Sequence, residues 1–272
     1  MSSIWPLAFI TFKEGIRNRA IYGISLFALL LLGANLLISG MMMRSAGKTA
    51  VDMALSTVSL CGLLLVLFVG INLIAKDLDR RTIYMVLARP ISRSRYIVGK
   101  FLGMVLLILA TVAILAVFAA LSILLVKFAY PDYFDRFSWP PVVLAVGLTA
   151  LMLVMLSAIS FLFASFASTS FITLALTIIT YLIGQSISEV KALVEAPGTI
   201  SLGYQPSGIT VALVRMAYYL FPNLSFFDVK LQAAHGLAIP PVTIMWTVAY
   251  GIIYTAIIIL FAALIFRRKE FP

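Results

Sequence analysis

The chain has 272 residues, of which 63% are hydrophobic and only 11% are charged. A soluble domain usually carries about 25% charged residues, so this composition excludes an ordinary soluble protein. The formal net charge of +10 indicates contact with anionic lipid head groups rather than with nucleic acid, because the charges lie between long apolar runs.

Six runs of the sequence contain no Lys, Arg, Asp or Glu and are long enough to cross a membrane as helices. An apolar helix of about 18 residues or more is a candidate to span the roughly 30 Å hydrocarbon core of a bilayer. We therefore predict an all-α, multi-pass protein of the inner (plasma) membrane, with a single transmembrane domain over residues 1–272. The predicted spans are approximately 21–43, 53–75, 101–126, 142–166, 171–188 and 242–266.

The distribution of Lys and Arg favours an orientation with both termini on the cytoplasmic side. With the N-terminus inside, 13 of the 20 basic residues fall in the inner segments, although the outer segments are longer. Short loops with an excess of basic residues stay on the cytoplasmic side. This orientation places the loop 76–100 inside and the loop 189–241 outside.

The first twenty residues have the pattern of a helix that lies at the membrane surface. Pro6 suits the first turn of a helix. Apolar residues recur at helical spacing on one side of this segment, at Trp5, Phe9, Phe12 and Ile16. The alternative is a basic flank that only sets the topology.

The loop 76–100, between the second and third spans, carries the most informative pattern of the chain. We predict a short amphipathic helix that ends at Pro90, because proline does not continue a helix. Asp77 and Arg81 are four residues apart and can pair along such a helix. The alternative is a solvated basic loop that only sets the topology. The apolar side of the helix would be formed by Leu78, Ile83, Val86 and Leu87.

The outer loop 189–241 is long enough to hold structure of its own. Ile209–Phe221 is apolar but too short to span a membrane, so we predict an interfacial or re-entrant helix there. A second short helix is predicted after Pro222, since Ser225 and Asp228 have the spacing of a capping box. The loop is too small for a separate domain and is interpreted as a lid on the outer face.

The sequence lacks the groups that a catalytic or metal centre needs. His235 is the only histidine and Cys61 the only cysteine, so no intrachain disulfide can form. Residues 47–49 read Gly-Lys-Thr, but Met42 stands where a phosphate-binding loop needs its first glycine. We predict no catalytic site, no cofactor and no metal site in this chain.

The predicted spans contain polar residues but no charged ones, which disfavours an ion-coupled carrier. Gly99 and Gly103 have the spacing of a close helix contact. A protein that moves a substrate without an ion site or a nucleotide site must draw its energy from another subunit. Either helix packing or a substrate path would explain the deepest polar side chains, which are Asn35, Asn72, Ser157, Ser160, Ser165 and Gln185.

The inner loop contains an ordered set of motifs: Asp79, Thr82, Val86-Leu87, Pro90-Ile91-Ser92-Arg93 and Gly99-Lys100. With six spans and both ends inside, this pattern resembles the permeases of ATP-binding-cassette transporters of the type-2 exporter class. The family usually has glycine at the position of Arg81. The segment 220–230 is most similar to the subgroup that contains the membrane subunit for copper-site maturation of nitrous oxide reductase.

The resemblance implies that a cytoplasmic coupling helix docks in a groove of separate ATPase subunits. It also implies a second permease copy or a paralogue, giving a homodimer or a heterodimer. The complex would export a hydrophobic or amphiphilic substrate, or pass mechanical work to a periplasmic partner. Alternatives are a non-transporting membrane scaffold that recruits a periplasmic partner and an ion-coupled carrier or channel. The docking residues implied are Asp77, Leu78, Asp79, Arg81, Thr82, Ile83, Val86, Leu87, Arg89, Pro90 and Arg93.

Overall fold

The computed structural model describes residues 4–42, 45–73, 93–134, 137–167, 169–195 and 208–268, and their regular secondary structure is entirely helical. Two short 3-10 turns, Pro131–Tyr133 and Ser225–Phe227, accompany the α-helices. In the described ranges the α-helices are α1 (Ile4–Ile16), α2 (Arg19–Met41), α3 (Ala46–Leu64), α4 (Arg93–Ala129), α5 (Trp139–Phe166), α6 (Ser170–Glu195), α7 (Gly208–Leu220), α8 (Lys230–Ala234) and α9 (Pro241–Arg268).

Six helices of the described chain are long and apolar enough to cross a membrane, which confirms the predicted all-α, multi-pass class. They are α2, α3 with its continuation to Leu73, α4, α5, α6 and α9. The two short helices predicted in the outer loop are present as α7 and α8. α7 and the segment Ser225–Ala234 form a pair bent by 63°, as in a re-entrant loop or a broken span.

The helices extend beyond the uncharged runs that predicted them. α3 begins at Ala46 and takes in Lys48 and Asp52, so most of the predicted first outer loop is helical. α4 begins at Arg93 and α6 continues to Glu195, where shorter spans were predicted. Long charged side chains can reach polar surroundings while their backbone stays helical, so an uncharged run marks only the hydrocarbon part of a helix.

α3 and α5 form the centre of the bundle. In their most apolar windows 78% and 67% of the residues are buried, against 22–33% for the other four spans. Close approach depends on small residues, since a Cβ atom at Gly62 of α3 would lie 2.3 Å from a Leu153 methyl carbon of α5. Cys61 is fully buried beside this contact, as expected for a small residue that fills space between helices.

A polar network joins α2, α3 and α4 inside the bundle. The Asn35 side-chain amide donates to the Ala50 carbonyl at 3.0 Å and to the Ser122 hydroxyl at 3.1 Å. Ser39 donates to the Asn35 side-chain oxygen at 3.0 Å, and Ser122 donates to the Leu32 carbonyl at 3.1 Å. Of the two explanations offered for Asn35, this network favours helix packing over a substrate path.

α3 changes its winding before it ends. Leu65–Gly70 is π-helical, and the Ile71 amide donates to the Val66 carbonyl five residues earlier. A π-helical stretch turns the residues beyond it relative to the regular helix. Close to this stretch α3 meets α4, because a Cβ atom at Gly70 would lie 2.8 Å from the Met104 methyl carbon. The last turn of α3, up to Leu73, therefore follows a change in helical winding.

Candidate functional site

We call the end of the bundle that holds Leu73, the start of α4 and the end of α9 the inner end, after the predicted orientation. Of Arg93, a predicted docking residue, the structure describes the backbone at the start of α4. The structure thus describes the frame that holds both ends of the inner loop. The other predicted docking residues lie outside the described residues, namely Asp77, Leu78, Asp79, Arg81, Thr82, Ile83, Val86, Leu87, Arg89 and Pro90.

Lys100 joins the two sides of this frame. Its side chain is only 4% exposed, and its Nζ donates to the Leu73 carbonyl at 2.6 Å. A hydrogen bond from a charged donor is stronger than one between neutral groups, and burial from water strengthens it further. Sequence reasoning found Lys100 as part of the Gly-Lys motif but gave it no role, because its partner is a backbone carbonyl that no side-chain pattern reveals.

The end of α9 belongs to the same group of contacts. The Lys100 Nζ lies 5.5 Å from the centroid of the Tyr96 ring, within reach of a cation–π contact. The Tyr96 ring stacks on Phe266 with a centroid distance of 6.2 Å and an angle of 18°. Both aromatic side chains are buried. We call Leu73, Tyr96, Lys100 and Phe266 the inner clasp, since they join α3, α4 and α9.

α1 packs on α4 directly beside the inner clasp. A Cβ atom at Gly99 would lie 2.7 Å from a Leu7 methyl carbon, and one at Gly103 would lie 2.5 Å from the Ala8 carbonyl oxygen. On α1 a Cβ atom at Gly15 would lie 2.5 Å from a methyl carbon of α4. The predicted close helix contact at these two α4 glycines is therefore present, and its partner is the N-terminal helix.

The packed face of α1 is not the face that the sequence pattern emphasised. Its buried residues are the small ones, Ala8, Thr11 and Gly15. Trp5 and Phe9 are 65% and 64% exposed. Large exposed apolar residues suit the surface helix that the sequence predicts. The pattern of large residues thus indicated the exposed side, and the small residues formed the contact that sequence reasoning missed.

A cleft of about 570 Å³ lies between α1 and the last turn of α3. Its polar lining includes Lys13, Glu14 and Arg17 from the N-terminal segment. Leu73, at the start of the inner loop, forms part of the same wall. The described chain before the inner loop therefore ends beside this cleft, and the helix after the loop, α4, carries the buried Lys100.

At the opposite end, the segment Phe221–Val229 is inserted between α6 and α9, and we call it the outer segment. Its Leu224 amide donates to the Gly184 carbonyl at 2.9 Å, and its Asn223 amide donates to the Tyr250 hydroxyl at 3.0 Å. The Leu224 side chain has no exposed surface. These contacts anchor the middle of the outer segment among the spans.

Asn223 also organises the polar side of the outer segment. Its side-chain amide nitrogen, Nδ2, donates to the Ser188 hydroxyl at 2.6 Å, and its side-chain oxygen accepts from the Ser225 hydroxyl at 2.7 Å. The predicted capping box of Ser225 and Asp228 is wrong, because Ser225 opens a 3-10 turn and makes no capping bond. The helix α8 begins later, where Asp228 forms an ion pair with Lys230 at 3.2 Å.

A second polar cleft, of about 420 Å³, opens beside the outer segment. Asp52 at the outer part of α3 and Glu189 at the outer part of α6 line it. The Asp228–Lys230 pair lines it as well. The central span α3 therefore reaches the outer cleft with its first turns and the inner clasp with its last turn.

Of the remaining deep polar residues, Gln185 of α6 bonds to another helix, since its side-chain amide donates to the Met152 sulfur of α5 at 3.4 Å. The others are satisfied within their own helices. Ser157, Ser160 and Ser165 donate to carbonyl oxygens within α5 at 2.7–2.8 Å. Asn72 donates to the Phe68 carbonyl one turn earlier. These bonds occupy the hydroxyl and amide donors within the protein, as expected for polar groups in apolar surroundings.

His235 lies directly after the last residue of α8. Its Nδ1 lies 3.0 Å from the Leu231 carbonyl at the end of α8. Within the described part of the chain, no group of three or more His, Cys, Asp or Glu residues could hold a metal ion. The histidine therefore closes a helix end.

Comparison with known sequences adds one finding. The family model described as ABC-2 family transporter protein matches residues 5–271, which is nearly the whole chain. A search among curated proteins found no significant match.

Proposed function

The chain belongs to the ABC-2 transporter family, whose permeases are transmembrane subunits that work with a separate ATPase, and on this premise we propose that its inner loop receives the force of ATP hydrolysis. The loop passes that force to the spans, which export a substrate or do mechanical work on a periplasmic partner. The observation that carries this proposal is the inner clasp. It links the start of α4, which follows the loop, to the end of α3, which precedes it. α3 is the most buried of the six described spans.

The sequence of the loop supports its role as a docking helix. In this proposal Val86 and Leu87 supply apolar contact to a groove in the ATPase, and the spacing of Asp77 and Arg81 allows them to pair along a helix. A loop without a firm attachment to the bundle would not transmit the force of the ATPase to the spans. The fixed attachment at Lys100 and the small-residue contact at Gly99 supply that anchor.

We propose two further partners for the permease. A second copy of the chain, or a paralogue, completes the transporter, and lipid covers the remaining apolar surfaces of the outer helices of the bundle. On the outer face, the outer segment acts as a lid over the path or as a contact for a periplasmic partner. Support for the lid comes from its insertion between α6 and α9.

We propose the nitrous-oxide-reductase maturation subgroup as the finer assignment within the family. Its support is the likeness of the segment 220–230, which contains the outer segment. In that case the periplasmic partner would be a copper-binding protein, and the complex would transmit force instead of exporting a solute. The substrate and the partner follow from this finer assignment and not from the membership in the family.

The proposal is tested by reversing the chemistry of the docking surface. Leu87→Glu and Asp79→Arg are expected to abolish co-purification of the ATPase with the permease, because each places the wrong charge on the predicted helix. The measurement is the amount of nucleotide-hydrolysing subunit recovered with the permease from native membranes. The native mass of the unsubstituted complex reports the number of permease copies.

A matched control makes the same chemical change at the other end of the molecule. Leu237 is 56% exposed near the outer cleft, so Leu237→Glu should leave the ATPase bound. If both docking variants insert in the membrane and retain the ATPase at the level of the unsubstituted chain, the docking site is wrong. If the unsubstituted chain recovers no ATPase at all, the scaffold function replaces the transporter.

A further inference from the structure

We propose that Lys100 is a positioning residue that makes the inner ends of α3 and α4 move as one unit when the ATPase acts on the inner loop. The inference rests on the proposed function for its source of force. It assigns a task to one side chain that the family match leaves open. The inner loop would then move the inner ends of α3 and α4 together as one rigid unit, the inner corner of the bundle, instead of moving each helix separately.

The first argument is the burial of a charged side chain. Lys100 is 4% exposed, and moving an ammonium group out of water costs free energy that an apolar residue of similar size would not. The hydrogen bond of 2.6 Å to Leu73 answers part of that cost. A lysine that only set the topology would keep its charge in the head-group region. The charge is therefore directed at the end of α3.

The second argument is the shape of α3 before that contact. The π-helical stretch Leu65–Gly70 separates the last turn from the regular helix. Hydrogen bonds of the π type are rare and occur mostly as local interruptions, often at functional sites. The last turn, which carries the Leu73 carbonyl, lies directly after this interruption. The bond from Lys100 to Leu73 supplies support from the neighbouring helix.

The third argument is the surroundings of the lysine on α4. On one side Tyr96 presents its ring to the Nζ and stacks on Phe266 of α9. The next residue before the lysine, Gly99, contacts Leu7 of α1. The corner therefore contains parts of four helices, and Lys100 provides its link to the span that is most deeply buried.

The experiment measures whether the two helix ends keep their separation. Spin labels are placed at Asn72→Cys and Arg95→Cys, both exposed positions, in a Cys61→Ala chain that has no other cysteine. The distance between the labels is measured in the ATPase complex without nucleotide and after trapping with ATP and vanadate. With Lys100 present, we expect one narrow distance distribution that is the same in both states.

Lys100→Met removes the charge and the donor while it keeps an unbranched side chain. We expect its distance distribution to broaden and its mean to shift between the two states, with the ATPase still bound. Lys100→Arg keeps a charged donor and should restore most of the narrow distribution. Lys127→Met is the matched control, since Lys127 lies at the other end of α4 with its Nζ 5.4 Å from the Phe137 ring.

Two results would overturn the inference, and neither of them could be caused by misfolding of a variant. One is a label-to-label distance that changes between the two nucleotide states in the chain that keeps Lys100. The other is a Lys100→Met distribution as narrow and constant as that of the Lys127→Met control. If no ATPase binds the unsubstituted chain, the proposed function fails, and broadening in the permease alone then decides whether Lys100 holds the corner.

Discussion

Single glycines decide how closely the N-terminal helix approaches α4. At Gly103 the position of a Cβ atom is already occupied by the Ala8 carbonyl oxygen and by Thr11, at 2.5 and 2.6 Å. Because one of these atoms belongs to the backbone, it cannot rotate away. The contact therefore tolerates hydrogen and nothing larger.

The first prediction at this scale compares two alanine substitutions. Alanine normally stabilises a helix by about 0.5–1 kcal/mol relative to glycine. Gly33→Ala should follow this rule, because no atom lies within 4 Å of its Cβ position. Gly103→Ala should instead destabilise the protein by about 1–3 kcal/mol through overpacking. The measurement is the midpoint of thermal unfolding in detergent, where the two variants should shift in opposite directions.

The comparison has a clear contrary outcome. If Gly103→Ala raises the unfolding midpoint as Gly33→Ala does, α1 does not contact α4 at that glycine. Loss of α1 alone would appear as faster proteolysis of the first helix with an intact bundle. If Gly103→Ala lowers the unfolding midpoint but proteolysis of α1 is not faster, the added methyl group strains α4 itself.

The residues that sequence reasoning identified and those that it missed differ in a physical way. Asn35 was found because a polar side chain in an apolar run needs a partner. Lys100 appeared only as part of a motif, since its acceptor is the backbone of Leu73 and leaves no mark on the sequence. The sequence predicted a close helix contact at Gly99, but it did not predict that the partner would be α1.

At the scale of elements, α6 holds the outer segment at two positions, Gly184 and Ser188, and the glycine makes the closest contact. A Cβ atom at Gly184 would lie 2.6 Å from the Pro222 carbonyl oxygen and 2.8 Å from the Leu224 side chain. The same backbone carbonyl of Gly184 accepts the Leu224 amide. The glycine thus both makes room for the outer segment and binds it.

We predict that Gly184→Ala loosens the outer segment without unfolding the bundle. The added methyl group displaces Pro222 and weakens the hydrogen bond to Leu224, so amide hydrogen exchange in residues 221–229 should accelerate. Gly147→Ala is the matched control in a neighbouring span, because nothing lies within 4 Å of its Cβ position. Equal exchange in the two variants would mean that the contact at Gly184 does not hold the segment.

The existence of each span was predictable, whereas its ends were not. An uncharged run indicates where a helix lies in apolar surroundings, either lipid or other helices, and all six runs are helical. The ends depend on how a charged residue is accommodated, as Lys100 shows inside α4 and Asp52 inside α3. The outer-loop helix α8 was predicted, but its start was misplaced because Ser225 bonds to Asn223 instead of capping it.

At the scale of the whole molecule, the proposed function depends on the orientation of the bundle. The inner clasp and the outer cleft lie at opposite ends of α3, so only one of them faces the ATPase. The prediction that both termini are cytoplasmic places the clasp on the ATPase side. An inverted bundle would place the inner loop where no ATP is available.

The orientation is tested with single cysteines in a Cys61→Ala chain. Leu237→Cys is expected to react with a membrane-impermeant maleimide on intact cells, because Leu237 is exposed at the outer end. Arg95→Cys, exposed near the inner clasp, should react only after the cells are permeabilised. The reverse pattern of labelling would invert the topology and remove the basis of the coupling proposal.

The arrangement of the spans was beyond prediction from hydropathy. All six runs are uncharged and predominantly apolar. Lipid is as apolar as a neighbouring helix, so composition does not distinguish a central span from an outer one. Small residues carried part of the signal, as at Gly62 of α3. Which small residue meets which partner depends on the tertiary structure.

The packing of α9 on α5 has a consequence for biosynthesis. A Cβ atom at Gly251 of α9 would lie 2.9 Å from a Leu151 methyl carbon of α5, so the last span fits directly against the fourth. Ribosomes deliver the chain from its N-terminus, and α5 therefore waits for its partner until every other span has been translated. Phe266, near the end of α9, then stacks on Tyr96 of α4. The contacts of the inner corner can therefore be completed only after α9 has been translated.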